Sequence, residues 1–199
     1  MTMQTEIEVK FVDIDTDSFR TVLAKAGAKL EHPMRLMRRA IVETPELAAK
    51  NAFIRVRDEG GRHTLTYKQF DEVSLTGAKE IELEVSDFSA MVALLEQVGL
   101  GAKSFQESRR ETWQYGEVEV VIDEWPHLRP YVEIEGVSEQ AVRDAASALG
   151  FNWSDAVFGK VTEVYQRQYP KGDASQLVNC ERVMFDQPLP SILSGVQIP

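Results

Sequence analysis

Charged side chains of both signs recur at alternate positions in several short segments of the chain, beginning with EIEVK at 6–10. Carboxylate oxygens are the ligands that Mg²⁺ and Mn²⁺ prefer, whereas arginine and lysine bind phosphate oxygens. Such side chains, if they face one another, could hold a divalent cation and a polyanion together. The alternating set comprises Glu6, Glu8, Lys10, Arg55, Arg57, Lys68, Glu80, Glu82, Glu84, Arg110, Asp123, Glu133 and Glu135.

The elements that must position these residues have a period of two, with apolar side chains between the charged ones. This pattern is typical of a half-buried strand. Short links with glycines at 60, 61 and 116 separate some neighbours and favour antiparallel hairpins. Eight such strands predict an antiparallel sheet that closes into a β-barrel, in the α+β class. The predicted strands are 6–11, 36–43, 53–57, 64–68, 80–85, 108–115, 117–123 and 131–135.

Helical spacing of apolar residues falls between these strands, at 16–26, 87–98, 139–149 and around 154–167. Helices packed outside the barrel would cover the apolar faces of the strands. The charged faces must then line the interior of the closed sheet. An interior with both signs of charge is costly unless ions and a ligand complete it, so the sequence predicts a charged tunnel.

The composition of the chain limits the kinds of binding partner and the cellular compartment that we expect for the protein. The chain has 199 residues, 32 acidic and 22 basic, for a formal net charge of −10. This balance argues against duplex DNA or an anionic membrane as a partner. The lone Cys180 excludes an internal disulfide, and no apolar run approaches the roughly 20 residues of a membrane helix. The first ten residues do not resemble a signal peptide, so we expect a cytoplasmic protein.

Taken in chain order, the alternating charged segments described above resemble those of the CYTH proteins, also called triphosphate tunnel metalloenzymes. The match covers about residues 3–169 and begins with 6–10, which is similar to the family's ExExK signature. This family includes class IV adenylyl cyclases, thiamine triphosphatases and inorganic tripolyphosphatases. ExExK alone is a weak signal, but the ordered set is specific. The other matching segments are FIRVR at 53–57, TYK at 66–68, EIELE at 80–84, RETW at 110–113, Asp123 and YVEIEG at 131–136.

The resemblance implies an eight-stranded tunnel that binds triphosphate and needs Mg²⁺ or Mn²⁺. By position, Asp123 and Glu82 are the candidates for a second metal ion. The implied ligands of the first metal are Glu6, Glu8, Glu133 and Glu135. The implied phosphate-binding residues are Lys10, Arg55, Arg57, Lys68 and Arg110. We expect Glu133→Gln to relieve repulsion among the carboxylates when metal is absent.

Some positions depart from the family pattern. Segment 41–45 lacks the tyrosine that many members have, and Ser108 stands where a lysine is common, which leaves that role to Arg109 or to no residue. Lys160 stands where many cyclases carry a tyrosine. It could reach the tunnel mouth as a proton acceptor or phosphate ligand, or it could be a solvated helix residue. The candidate catalytic lysines are therefore Lys10, Lys68 and Lys160.

Three functions compete. The leading one is metal-dependent hydrolysis of a triphosphate such as tripolyphosphate, ATP or thiamine triphosphate. The alternatives are a class IV adenylyl cyclase and a non-catalytic binder of polyphosphate or nucleotide. No nucleic-acid or membrane partner is expected, and a homodimer is left open.

The chain changes character at Pro170, after which prolines are frequent and charges few. We predict a tunnel domain at 1–169 and an irregular tail at 170–199. The tail nevertheless holds many apolar residues, among them Leu177, Val183 and Leu193. Such residues would be a liability in solvent, so we expect part of the tail to pack on the barrel's outer wall or on a neighbouring subunit.

Overall fold

A computed structural model of the chain describes residues 3–194. Its helices are α1 (Thr16–Ala26), α2 (Pro45–Ala48), α3 (Phe88–Gln97), α4 (Glu139–Ala148), α5 (Val161–Gln168) and α6 (Ser191–Ser194), and 3₁₀ turns lie at Trp153–Asp155 and Ala174–Asn179. The strands are β1 (Gln4–Thr5), β2 (Ile7–Phe11), β3 (Lys29–Val42), β4 (Ala52–Asp58), β5 (His63–Phe70), β6 (Ala78–Val85), β7 (Ser104–Tyr115), β8 (Val118–Glu124), β9 (Tyr131–Gly136) and β10 (Arg182–Val183).

The sheet closes through its N-terminal strand, which Glu6 divides into β1 and β2. β1 pairs with β6 and β2 pairs with β9, at opposite ends of the order β1-β6-β5-β4-β3-β7-β8-β9-β2. The backbone N–H of Glu6 donates to the Ala78 carbonyl at 3.0 Å, and that of Glu8 donates to Leu75 at 3.2 Å. The predicted antiparallel barrel is therefore confirmed, with nine strands in its path because the first predicted strand is split.

The helices pack on the outside of this barrel, as the sequence predicts. Leu23 of α1 and Val142 of α4 are buried in one core with Val9 and Ile134 of the sheet. A second outer core holds Leu95 of α3 with side chains of β3 and β4. The outward apolar faces are thus covered, which leaves the alternate charged faces inside.

Most predicted bounds differ from the observed ones by a residue or two, and three elements differ by four residues or more at one end. β3 begins at Lys29 rather than at 36, because register shifts between residues 30 and 35 interrupt its period-two pattern. β7 begins at Ser104 rather than at 108. The helix predicted around 154–167 is wrong in its first half. Val157 exchanges backbone hydrogen bonds with Lys10, and Gly159 has a left-handed φ of 90°, so α5 begins only at Val161.

The C-terminal segment, which we define as residues 170–194, runs beside β7. β10 pairs parallel to β7, and the Phe105 N–H donates to the Glu181 carbonyl at 2.8 Å. Leu177, Val183 and Leu193 are buried, so the expectation that part of the tail packs is confirmed. The division into 1–169 and 170–199 stays a prediction, and its residues 1–2 and 195–199 lie outside the described residues.

Candidate functional site

The barrel encloses a cavity of about 460 Å³. Glu84 of the alternating charged set is exposed near the end of β6 and does not line it. The predicted metal, phosphate and catalytic residues do line it, and those on one strand share a face because side chains two apart point the same way. These residues are Glu6, Glu8, Lys10, Arg55, Arg57, Lys68, Glu82, Arg110, Asp123, Glu133, Glu135 and Lys160. The sequence therefore identifies the face correctly, and the structure adds which groups meet one another.

Three carboxylates form the acidic end of the cavity. One oxygen each from Glu6, Glu8 and Glu135 lies within 4.8 Å of the others. Burial, followed by the charges of Glu6, Glu133 and Glu8, raises the pKa of Glu135 to about 8. Burial also raises the pKa of Glu6, although the charge of Lys68 opposes it. The raised pKa values of Glu6 and Glu135 fit a site for Mg²⁺ or Mn²⁺, because a bound cation would offset the repulsion within the cluster.

Two buried lysines neutralise this acidic end. Lys10 Nζ lies 2.8 Å from Glu8 and 3.2 Å from Glu133. Lys68 forms ion pairs with Glu6 and Glu8. Burial alone would lower the pKa of each lysine, but the neighbouring carboxylates outweigh it, and the net shift of both pKa values is upward. Both side chains are therefore held in the charged form.

Glu133 connects the acidic end to the arginines. It contacts Arg110 Nη2 at 3.2 Å, and Arg110 also binds both carboxylate oxygens of Asp123. The Tyr131 hydroxyl donates to Asp123 at 3.2 Å. Burial favours neutral Glu133, yet Lys10 and Arg110 hold its pKa well below the ordinary value. Glu133 thus stays ionised, in contrast to Glu135 on the same strand.

Arg55 and Arg57 share a different carboxylate. Their Nη2 atoms lie 3.6 and 3.7 Å from Glu82 Oε2, and the Thr66 hydroxyl donates to the same oxygen at 2.9 Å. Glu82 and Asp123, the residues expected to hold a second metal, therefore line one cavity but bind different arginines.

Lys160 lines the cavity as a half-buried residue immediately before α5, not within a helix. Its ammonium donates to Asn51 and lies over Phe53 and Phe70, at 5.8 and 5.2 Å from the ring centroids. Burial lowers the pKa of Lys160, opposed by Glu43 and Glu163. Lys160 is therefore easier to deprotonate than an ordinary lysine, and Lys10 and Lys68 are harder.

Arg39 and Trp125 also line the cavity, although neither is among the site residues that the sequence predicts. Arg39 lies on β3, which is predicted as a strand, and shares its face with Met37 and Ile41, whereas Arg38 and Ala40 lie on the other face. The C-terminal segment also supplies cavity wall, through Ser175, Leu177, Val178 and Val183. No local pattern indicated this contact, because it depends on the chain returning to β7.

The sequence model of the CYTH domain family matches residues 4–152, so the chain belongs to that family. Its fold is shared by PH1012 from Pyrococcus horikoshii OT3, which is 22% identical with a TM-score of 0.69, over 80% of this chain and 98% of that one. A Vibrio parahaemolyticus protein described provisionally as an adenylate cyclase is 13% identical with a TM-score of 0.70, over 82% and 98% of the two chains.

A conserved hypothetical protein from Pyrococcus furiosus is also similar, at 19% identity and a TM-score of 0.68, over 80% of this chain and 99% of that one. No curated protein sequence shows significant similarity to the chain. Within residues 3–194, no helix combines the length and apolar character needed to cross a membrane.

Proposed function

We propose that this CYTH protein is a divalent-metal-dependent enzyme that hydrolyses a triphosphate inside its barrel. The observation that carries the proposal is that a three-carboxylate cluster and a set of buried cations line one cavity together. Phosphoryl transfer asks a protein mainly for positioning and charge neutralisation. The two kinds of group around this cavity would supply both.

Glu6, Glu8 and Glu135 would hold the first Mg²⁺ or Mn²⁺, with Glu133 beside them. When bound, such an ion neutralises phosphate charge and makes a water molecule more acidic. Asp123 and Glu82 stay our candidates for a second ion. Their present ion pairs with arginines would have to open first, so a triphosphate that takes over those arginines would favour this second site.

The cations of the cavity would bind the phosphate oxygens. Arg55, Arg57 and Arg110 can each present two donors to a phosphate, and Lys10 and Lys68 add compact charge. Because both lysines are held protonated by carboxylates, they suit binding and stabilisation of the leaving phosphate rather than proton abstraction.

Lys160 is the lysine of the predicted catalytic set that suits a proton acceptor. Its pKa is lowered by burial, and it lines the cavity while remaining partly exposed to solvent. We therefore assign Lys160 the role of accepting a proton from the attacking water, with Asn51 orienting its ammonium.

A class IV adenylyl cyclase is the second candidate. In that reaction the ribose 3′-hydroxyl attacks the α-phosphorus of ATP and pyrophosphate leaves. Phe53 and Phe70 in the cavity wall favour an organic group there, since an aromatic ring could stack on them if the Lys160 ammonium moved aside. A non-catalytic binder fits less well, because a site for a polyanion alone would gain from fewer carboxylates.

The deciding experiment incubates the protein with tripolyphosphate, ATP and thiamine triphosphate, each with Mg²⁺ and with Mn²⁺. We expect inorganic phosphate as the product, and none from a Glu6→Gln, Glu8→Gln double variant. Cyclic AMP with pyrophosphate would establish the cyclase instead. Binding without any product would leave the non-catalytic binder. The cytoplasmic location and the absence of nucleic-acid partners stay predictions, and a homodimer stays open.

A further inference from the structure

The Arg39 side chain reaches into the cavity from β3 and is only 8% exposed. In the sheet register it lies opposite Arg57 on β4 and opposite Gln106 on β7. Its Nη2 donates to the Ser108 hydroxyl at 2.7 Å, and its guanidinium stacks over the Trp125 ring at 4.3 Å. Arg39 is thus held in a fixed orientation by neutral groups.

Arg39 differs from the other arginines that line the cavity in the part of the chain that the structure describes. Arg55 and Arg57 share Glu82, and Arg110 binds Asp123 and Glu133. No carboxylate of residues 3–194 forms an ion pair with Arg39. Burial, followed by the charges of Arg55, Arg57 and Arg110, lowers the pKa of Arg39 to about 9. A buried cation among like charges costs folding free energy, so stabilising the ligand-free fold does not explain it.

Two buried donors at this place also lack an acceptor. Arg39 Nε and Trp125 Nε1 are both shielded from solvent and have no hydrogen-bond partner. Most buried donors in proteins are hydrogen-bonded, so each such group calls for an explanation. Here the two side chains contact each other and line the same cavity. An oxygen-rich anion beside them would satisfy both donors and the unpaired charge.

We propose that Arg39 and Trp125 form a phosphate-binding subsite of the cavity, and this rests on the proposed function of the site. The subsite takes one phosphoryl group of the triphosphate. Arg39 donates to it from the fixed edge of its guanidinium, and the Trp125 indole N–H donates to a second oxygen. Arg39 requires no ion pair to open, whereas Arg57 and Arg110 must first release carboxylates.

The test compares Arg39→Gln with Arg38→Gln by titration calorimetry with tripolyphosphate in the presence of a chelator. Arg38 is the matched control, because it is the next residue of β3, is largely exposed and has its nearest carboxylate, Glu107, 3.8 Å away. We expect Arg39→Gln to weaken binding about tenfold or more, since charged hydrogen bonds are strong. Arg38→Gln should bind as the wild type does. The ligand-free melting temperature of Arg39→Gln should be equal to or above that of the wild type.

Wild-type binding with equal affinity in Arg39→Gln would overturn the subsite while leaving the proposed function standing. A wild type that does not bind tripolyphosphate would overturn both. A clear fall in the ligand-free melting temperature with unchanged affinity would make Arg39 a structural residue. If Arg39→Gln does not fold, Arg39→Lys takes its place. It keeps the charge without the two-donor edge, and affinity equal to that of the wild type would again overturn the subsite.

Trp125 is tested by its fluorescence. Tripolyphosphate should change the emission of the wild type, because the phosphate would lie against the indole. Trp125→Phe should abolish that change and weaken binding severalfold, whereas Trp153→Phe, away from the cavity, should keep both. A change that persists in Trp125→Phe, together with unaltered affinity, would remove Trp125 from the subsite.

Discussion

Arg110 donates from Nε and Nη2 to the two carboxylate oxygens of Asp123, at 2.8 and 2.6 Å. The two residues are register partners on β7 and β8. A predicted phosphate ligand and a predicted metal ligand therefore neutralise each other when the cavity holds no ligand. A triphosphate bound as proposed would compete with Asp123 for Arg110, and a metal ion would compete with Arg110 for Asp123.

Asp123→Asn should free Arg110 and raise the affinity for tripolyphosphate, measured with a chelator present, by about fivefold to tenfold. Hydrolysis should nevertheless fall, because a proposed metal ligand is lost. Glu124→Gln is the control, since Glu124 pairs with the half-exposed Arg109 at 3.5 Å. Titration calorimetry measures the affinities. Weaker binding by Asp123→Asn would contradict the idea that the pair competes with the ligand.

Glu135 should make metal-free stability fall as pH rises. Its pKa is raised from 4.5 to about 8 by burial and neighbouring carboxylates. Between these values the folded protein keeps a proton that the unfolded chain has lost, so the free energy of unfolding falls across about pH 4.5–8 and then levels off. Urea unfolding with a chelator at several pH values measures this. Glu135→Gln should flatten the dependence of the unfolding free energy on pH. An unchanged dependence would show that folded Glu135 does not hold this proton.

Glu133→Gln should act in the opposite direction. Lys10 and Arg110 hold the pKa of Glu133 below its ordinary value, so its contribution is present above that value and lost as pH falls below it. Removing this charge relieves its repulsion of Glu135, but it also weakens the neutralisation of two buried cations, so we expect a net loss of stability. At neutral pH the metal-free variant should lose about 3 kcal/mol of unfolding free energy, measured by urea unfolding. A Glu133→Gln variant more stable than the wild type would contradict these ion pairs.

Arg57→Ala should weaken tripolyphosphate binding more than Mn²⁺ binding. A guanidinium attracts phosphate and repels cations, and this one is buried beside Glu82 and Glu59. We expect about a tenfold loss for tripolyphosphate and little change for Mn²⁺ in separate calorimetric titrations. Arg38→Ala, on the exposed side of β3, serves as the control. Equal losses of both ligands would count against opposed acidic and basic groups.

Lys160 should govern the pH dependence of turnover. If neutral Lys160 accepts a proton from water, kcat rises with pH toward its pKa, which burial places below 10.5. Lys160→Arg keeps the charge and cannot lose its proton, so kcat should fall about a hundredfold with KM nearly unchanged. The exposed Lys171→Arg is the control. A full kcat with the same pH profile in Lys160→Arg would exclude this role.

Ending the chain after Tyr169 should lower the melting temperature. The cut removes buried Leu177, Val183 and Leu193, each worth about 1.5–3 kcal/mol when fully buried. It also opens one wall of the cavity, while the ion pairs of β2, β8 and β9 remain. A chain that ends after Ser194 is the control. If the segment does not contribute, calorimetry would give an unchanged melting temperature, and the size of the protein in solution would also be unchanged.

Much of the site could be predicted from sequence because strand geometry is simple. Residues two apart share a face, so ExExK at 6–10 and the later charged segments had to point to the same side of their strands. The outer helices were readable from apolar spacing and from caps such as Asp87 and Ser138, whose side chains accept from backbone N–H groups. Local pattern therefore determined the fold class and the charged interior.

Tertiary structure alone decided which charges meet. Glu133 and Glu135 belong to one alternating segment, yet one is ionised between two cations and the other crowds against carboxylates. Their difference comes from neighbouring strands, whose register no single segment encodes. The environment of Arg39 likewise depends on tertiary contacts, with Ser108 and Trp125 far along the chain. Spacing sets the face of a side chain, but only closure of the barrel sets the distances on which electrostatics depends.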